Sequence, residues 1–414
     1  MKAKEKVGAY FQSNAEQVRQ DIVALTSRMV RERTVNVVPE KLSDFPYLKQ
    51  RGEEFRVARI VMETLDRWGV PYAVYERETG RTNVVASLGR GEGPCRLLVA
   101  CHMDVVPPGE GWETDPFDPV EKEGFLYGRG VLDNKGPLAA SLVAARVLKE
   151  TIGSDGLPGQ LLVAALADEE ASGPEGDFGI GYLLEEKLIA PTCAIIPDIG
   201  ENMRSIDIAE KGRVVLRVVA RGVQAHGSTP ERGVNAIYKM ARFVTMLEGM
   251  QLPHEVHPLL GGPTVNLGEV HGGVAANVVP GECVAYLDVR IVPGQTVEQV
   301  RQAIAALARR VADDFVVEVQ SASEPHAVSP ENPLVVTIQQ NVQELLGWRP
   351  QPIGMGGGTF AKTLNLAGIP AVGFGPGDDT AFHVANERVE IQQLVDFAHV
   401  ISLVALDLVG GRSR

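Results

Sequence analysis

The chain alternates short, nearly unbroken apolar runs with longer stretches of helical period. The runs are 83-NVVASLG-89, 97-LLVAC-101, 161-LLVAALA-167, 193-CAIIP-197 and 370-PAVGFG-375. Runs of this length without polar alternation predict strands buried on both faces, as in a parallel sheet covered by helices. Between them, apolar spacing predicts helices over 14–34, 53–69, 137–150, 333–346 and 390–408. In 53–69 the stripe is Phe55, Val57, Ile60, Val61 and Leu65. Pro137 suits the first turn of its helix, where a missing N–H is no loss. A further strand is expected at Tyr72–Glu76.

Near residue 210 the rhythm changes. The segments 212-GRVVLRVVARG-222, 264-TVNLGEVHG-272, 283-CVAYLDVRIV-292 and 315-FVVEVQSAS-323 alternate apolar with polar positions, the mark of half-exposed antiparallel strands. Helices are predicted over 234–249 and 296–312. The expected architecture is α/β. A domain with a mostly parallel sheet flanked by helices is built from 1–209 and 325–414, and a small α+β domain, 210–324, is inserted in it.

Composition narrows the function classes. Of 414 residues, 44% are apolar, enough for a sizeable core, and the formal net charge of -13 disfavours nucleic acid and anionic membranes as partners. The N-terminus lacks the apolar segment of a secretory signal. No run approaches the ~18–20 apolar residues of a membrane span, so a soluble, cytoplasmic protein is expected. Cys95, Cys101, Cys193 and Cys283 show no CxxC pairing, which argues against a disulfide framework or a cysteine zinc site. Cys101 and Cys193 sit at the edges of apolar runs and are expected to be buried thiols.

The chemistry lies where the buried strands end. His102 and Asp104 follow the run 97–101. Asp168, Glu169 and Glu170 follow 161–167, Asp198 follows 193–197, and Asp378, Asp379 and His383 follow 370–375. The loop 128-GRGVLDNKG-136 sets Asp133 just before a helix. In an open parallel sheet the carboxyl ends of the strands face one crevice, so these groups converge. Crowded carboxylates need a counter-charge, and Lys and Arg are scarce at these tips. Two histidines with several carboxylates suit zinc, with cobalt or manganese as substitutes. Two ions fit better than one, with Asp133 between them.

Together 102-HMDVVP-107, 128-GRGVLDNKG-136, 168-DEEASG-173, Asp198 and 375-GPGDDTAFH-383 resemble the dinuclear-zinc amidohydrolases. That family includes acetylornithine deacetylase, succinyl-diaminopimelate desuccinylase, glutamate carboxypeptidase and bacterial dipeptidases. The likeness spans nearly the whole chain. It implies two zinc ions per chain, one held by His102, Asp133 and Asp198, the other by Asp133, Glu170 and His383. It implies that Asp104 orients His102 and that Glu169 is the general base toward a water shared by the ions. The reaction implied is hydrolysis of an amide beside a free carboxylate, in a dipeptide or an N-acyl amino acid. A catalytically silent binding protein on the same fold is the rival reading, and the intact Glu169 argues against it.

The inserted domain resembles the family's lid and dimerisation domain. In 222-GVQAHGSTPERGVNA-236, His226 would hydrogen-bond the oxyanion, often in the partner's site, and a homodimer through the lid follows. Asn277 in 276-ANVVPG-281 and Arg290 in 288-DVR-290 match substrate-contacting positions, with Arg290 suited to grip a carboxylate. In 354-GMGGGTFAK-362, the glycines, Gly358 among them, let backbone N–H groups approach an anion, and Thr359 adds a hydroxyl. This segment is nearer the GGGTYAR of family dipeptidases than the GGTDA of many deacylases, while the short inserted domain is like that of dimeric deacylases. Cys101 and Asn134 are smaller departures. The glycine segment lacks the pattern of a nucleotide phosphate loop.

Plainer readings stand beside these. Asp168 reads equally as a helix-start acid, Asp198 could cap a turn, and Asp378 and Asp379 read as turn formers. His226 could be an ordinary loop histidine. His254, His257, His271, His326 and His399 have no constellation around them and read as structural or exposed.

Overall fold

The computed structural model describes residues 2–171 and 177–410, so Ser172 and Gly173 of the acidic motif lie outside the described residues. The chain divides into two compact units. One comprises Met1–Ile208, Val328–Ile353 and Thr359–Arg414, the other Ala209–Ala327 and Gly354–Gly358.

The first unit is built on a sheet with strands ordered Tyr72–Glu76, Thr82–Leu88, Gln160–Leu166, Arg96–His102, Cys193–Ile196, Ala371–Gly373 and then Ser205–Glu210. The sheet is mixed, which corrects the expectation of a mostly parallel one. Only the four consecutive strands from Gln160–Leu166 to Ala371–Gly373 are mutually parallel. Those outside them run antiparallel. Connection length is the cause. A short turn joins Tyr72–Glu76 to Thr82–Leu88, which only antiparallel partners allow, whereas the helix Lys135–Ile152 lies between Arg96–His102 and Gln160–Leu166 as a parallel crossover requires.

The parallel strands are buried on both faces because the runs lack polar alternation. Leu98 and Ala100 pack with Ile180, Leu183, Phe360 and Leu364. Leu97, Val99 and Cys101 point the other way and are fully buried, with Cys101 Sγ 3.9 Å from Ser141 Oγ of the helix Lys135–Ile152. Each large apolar side chain so buried contributes ~1.5–3 kcal/mol. That helix is itself buried from Lys135 through Leu148, and the helices Ala15–Val30 and Ile391–Val409 pack on it. Ile391–Val409 is the one helix among the described residues long and apolar enough to cross a membrane, contrary to the reading that no run comes near that length. Its mean hydropathy is 1.4, and 67% of that stretch is buried inside the protein.

The second unit holds a four-stranded antiparallel sheet, ordered Thr264–Gly272, Glu282–Ile291, Gly212–Arg221, Val316–Ser323. Burial alternates along Glu282–Ile291 as its sequence does. The inward residues, including Val214, Leu216, Ala285 and Leu287, pack against Met240 and Phe243 of the helix Ala236–Glu248 and Ile304 of Val297–Arg309. Thr296 and Gln299 cap the second helix reciprocally.

Candidate metal centre

The four parallel strands end on the same edge of their sheet, and their loops deliver the charged side chains. His102 is the last residue of its strand. Asp133 precedes the helix Lys135–Ile152 in a loop whose Asp133–Asn134 peptide is cis. Asp168 and His383 adopt left-handed backbone, with φ of 64° and 60°, conformations costly for residues other than glycine and common where side chains must be aimed at a site.

Two groups of potential metal ligands form, His102, Asp133 and Asp198 in one and Asp133, Glu170 and His383 in the other, the ligand atoms of each lying within 4.8 Å of one another. Asp133 belongs to both. Its Oδ1 lies 2.8 Å from His102 Nε2 and its Oδ2 lies 2.9 Å from His383 Nε2. Asp198 Oδ1 is 4.0 Å from His102 Nε2, and Glu170 Oε2 is 3.1 Å from His383 Nε2. His102 is buried and His383 exposed, so the centre opens to solvent on the His383 side.

The residues fit divalent cations. The donors are imidazole nitrogens and carboxylate oxygens, and Glu170 Oε1 is buried with no hydrogen-bond partner, which is costly unless a cation or water meets it. Burial pushes Glu170 up to about 7, helped by Asp133 and opposed by His383. Glu169 is raised well above the carboxylate range, first by burial and then by Glu170, Asp198 and Asp133, with His102 opposing. His383 is raised to about 10 by its bonds to Asp133 and Glu170. His102 moves the same way, since Asp104, Asp133 and Asp198 outweigh the effect of burial.

Asp104 acts differently from the expectation. The nearest partner of His102 Nδ1 is the Asp104 backbone carbonyl, at 2.9 Å, with the carboxylate Oδ1 at 3.5 Å. The carboxylate is occupied elsewhere: it accepts from the backbone N–H of Glu169 at 3.3 Å, the N–H of Glu170 at 3.0 Å and Asn36 Nδ2 at 2.8 Å. Asp104 thus fixes the His102 ring through its carbonyl and the acidic pair through its side chain. Its own carboxyl is lowered to about 2, with His102, Asn36 and Arg81 overcoming burial.

The scarcity of cations at the tips holds for the tips alone. Behind them Arg81 is buried and ion-paired to Glu54 at 3.0 Å and Asp168 at 2.6 Å. Asn36 Nδ2 also donates to Asp168, at 3.0 Å, which places Asp168 in this network and not at a solvated helix start. Arg129 pairs with Glu387 at 2.5 Å. Glu387 Oε1 accepts from the backbone N–H groups of Gly130, Leu132 and Asp133 at 3.0, 2.9 and 3.1 Å. Lys135 is fully buried, and Asp104 is the foremost of the acids opposing the burial that lowers it to about 8. Asn134 donates to Pro197 O at 3.1 Å and to Asp198 Oδ1, so the departure beside Asp133 braces a ligand. Asn36, Glu54, Arg81 and Glu387 were missed from sequence. The one local signal was position: Arg81 stands just before the strand Thr82–Leu88 and Glu387 four residues past His383, while Asn36 and Glu54 carry none.

The remaining residues of interest are placed as follows. Thr359, in the first unit, caps the helix Phe360–Leu366, its Oγ1 accepting from Ala361 N at 3.1 Å. In the second unit, His226 Nδ1 accepts from Ser228 N at 3.1 Å, which leaves Nε2 as the protonated, donating nitrogen. Gly227 N donates to Asn277 O at 2.7 Å, so His226 and Asn277 are neighbours there. Arg290 donates to Asp288 Oδ1 at 2.7 Å and to Gly356 O at 3.0 Å. The glycine loop containing Gly358 thereby joins the Arg290 strand within the second unit.

Comparison with known proteins places the chain in a family. The chain is 32% identical over 342 residues to acetylornithine deacetylase of Myxococcus xanthus, covering 80% of this chain and 85% of that protein. It is 28% identical over 326 residues to succinyl-diaminopimelate desuccinylase of Sulfurovum sp., covering 78% and 86%. In fold it is similar to aminopeptidase PepT from Bacillus cereus, with a TM-score of 0.73 and 21% identity over 93% of this chain and 97% of that one. Residues 98–407 match the model of peptidase family M20/M25/M40. The chain belongs to that family, and the metal-ligand groups at its strand ends lie within the matched segment.

Proposed function

We propose that this hydrolase cleaves an amide bond beside a free carboxylate, in a dipeptide or an N-acyl amino acid, with two zinc ions per chain. The observation that carries the reading is Asp133 turning one carboxylate oxygen to each histidine, with the acidic pair Glu169 and Glu170 hung from Asp104 beside it. His102, Asp133 and Asp198 hold one cation and Asp133, Glu170 and His383 the other. Bound there, zinc, or cobalt or manganese in its place, supplies Lewis acidity and the missing positive charge. Glu169 takes the proton of the attacking water and returns it to the leaving nitrogen. His226, donating through Nε2, stabilises the oxyanion. Arg290 is suited to grip a substrate carboxylate, and Asn277, Gly358 and Thr359 are further proposed substrate contacts. The second unit serves as lid and dimer surface, and the protein works in the cytoplasm.

The test combines metal analysis with a panel of dipeptides and N-acetyl amino acids, each also supplied as its C-terminal amide. Bound zinc, hydrolysis abolished by chelation and a sharp preference for the free acids are expected. A protein with neither metal nor hydrolysis would be the silent binder. Equal rates on acids and amides would remove the carboxylate from recognition.

A further inference from the structure

At the end of the parallel sheet opposite the metal centre, two of the four free cysteines meet. Cys95 precedes the strand Arg96–His102 and Cys193 begins the neighbouring strand Cys193–Ile196. Their sulfurs lie 3.8 Å apart. Cys193 is 8% exposed, Cys95 is partly exposed, and Thr192 Oγ1 donates to Cys95 Sγ at 3.7 Å. Cys101 and Cys283 are buried, and Cys101 faces Ser141. Spacing in sequence hid the pair, because its members are 98 residues apart and only strand pairing joins them.

We propose that Cys95 and Cys193 are an oxidisable dithiol, converted to a disulfide by a hydroperoxide and returned to thiols by a small reductant thiol. The two sulfurs play different parts. Donation from the Cys193 thiol, with Thr192 helping and burial opposing, lowers Cys95 to about 6, while its bond to Cys95 and burial push Cys193 up. Cys95 is therefore the thiolate and, being the more exposed, the sulfur that meets the oxidant. It attacks one peroxide oxygen. The O–O bond breaks, leaving a sulfenic acid on Cys95 and hydroxide. The Cys193 thiol then gives its proton to that hydroxide and attacks the Cys95 sulfur, and the sulfenic oxygen departs as hydroxide and takes up a proton. Two thiols and one hydrogen peroxide yield one disulfide and two waters.

Closing the pair to a bond of about 2.05 Å needs an approach of roughly 1.8 Å. The ladder between the two strands begins at Leu97 opposite Cys193, so Cys95 lies before its first paired residue, although the Cys95 carbonyl accepts from Gln160 N at 3.2 Å, and the approach falls on the two side chains. The bond would tie together the starts of two strands, one ending in His102 and the other leading to Asp198. Seven residues at ~3.3 Å each separate it from the centre, so its effect falls on stability and not on the reaction.

The experiment treats the full-length, metal-loaded protein with hydrogen peroxide. Thiols are then counted in denaturant, cross-linked peptides mapped without reduction, and the melting temperature recorded before and after dithiothreitol. The expected result is a loss of two of the four titratable thiols, a peptide joining Cys95 to Cys193, a melting point several degrees higher, and full reversal by the reductant with turnover unchanged. Cys193→Ser should abolish the cross-link and let Cys95 pass to the sulfinic acid. Four remaining thiols, a cross-link through Cys101 or Cys283, or Cys95 over-oxidised in the unsubstituted protein while Cys193 stays free would each overturn the proposal. The unsubstituted protein alone decides these outcomes should the variant fail to fold.

Discussion

At the scale of single residues, the proposed reaction rests most on Glu169. Its carboxyl is raised by burial and by Glu170, Asp198 and Asp133, so a cation nearby favours its ionised, proton-accepting form. Glu169→Gln is expected to keep the fold and the metal while turnover drops about 10²–10⁴-fold; a near-normal rate would release Glu169 from the base role. Asn36 supports it from behind by bonding both Asp104 and Asp168. Asn36→Ala should weaken metal binding or turnover about 10–100-fold with little change in melting temperature, and unchanged kinetics would make the amide a packing group only. These two residues differ in legibility for a physical reason. Glu169, like His102, Asp133, Glu170, Asp198 and His383, stands at or near the end of an apolar run or in a glycine-punctuated loop, so local pattern exposes it. Asn36 acts on partners 68 and 132 residues away, and nothing in its own surroundings announces them.

The helix Lys135–Ile152 fixes the Asp133 side of the centre. Asn134 spends its amide on Pro197 and Asp198 instead of capping the helix. Gly136 lets the first turn close on the preceding loop: a Cβ there would lie 2.0 Å from the carbonyl oxygen of Val131. Gly136→Ala must push that backbone aside and is expected to destabilise the protein by about 1–3 kcal/mol, read as a lower melting temperature together with weaker metal retention. An unchanged melting point would mean the loop yields freely. Helices and central strands were legible because their apolar periods differ so plainly. The antiparallel direction of the outer strands Tyr72–Glu76 and Thr82–Leu88 was not, because a run looks alike whichever way its neighbour points, and direction is set by the connection.

For the molecule as a whole, protons and cations compete for one cluster. Without metal, His383 holds its proton up to about pH 10 and His102 is raised likewise, yet a cation binds only the neutral ring. Apparent metal affinity should therefore climb with pH below that point, by up to about tenfold per unit for each proton displaced. Calorimetric titrations in buffers of different ionisation heat count those protons, and an affinity flat between about pH 6 and pH 9 would contradict the assignment. The raised His383 value also stabilises the metal-free fold fully below the ordinary 6.5, an advantage lost as pH rises through about 10. Assembly is a separate matter within the second unit. Its edge strand Thr264–Gly272 leaves Val270 exposed, and the helix Ala236–Glu248 exposes Ile237 and Tyr238, a surface of the kind that pairs with a second copy. Sedimentation should report a dimer, and a monomeric mass with full activity would count against it. Finally, the Glu387 carboxylate grips the backbone leading into Asp133 while sitting four positions after His383 in the chain. One side chain thereby harnesses the bridging aspartate to the rim histidine, so slackening either should loosen the other. The two ions proposed for the centre are thus expected to arrive and depart in concert, leaving half-filled protein a scarce species.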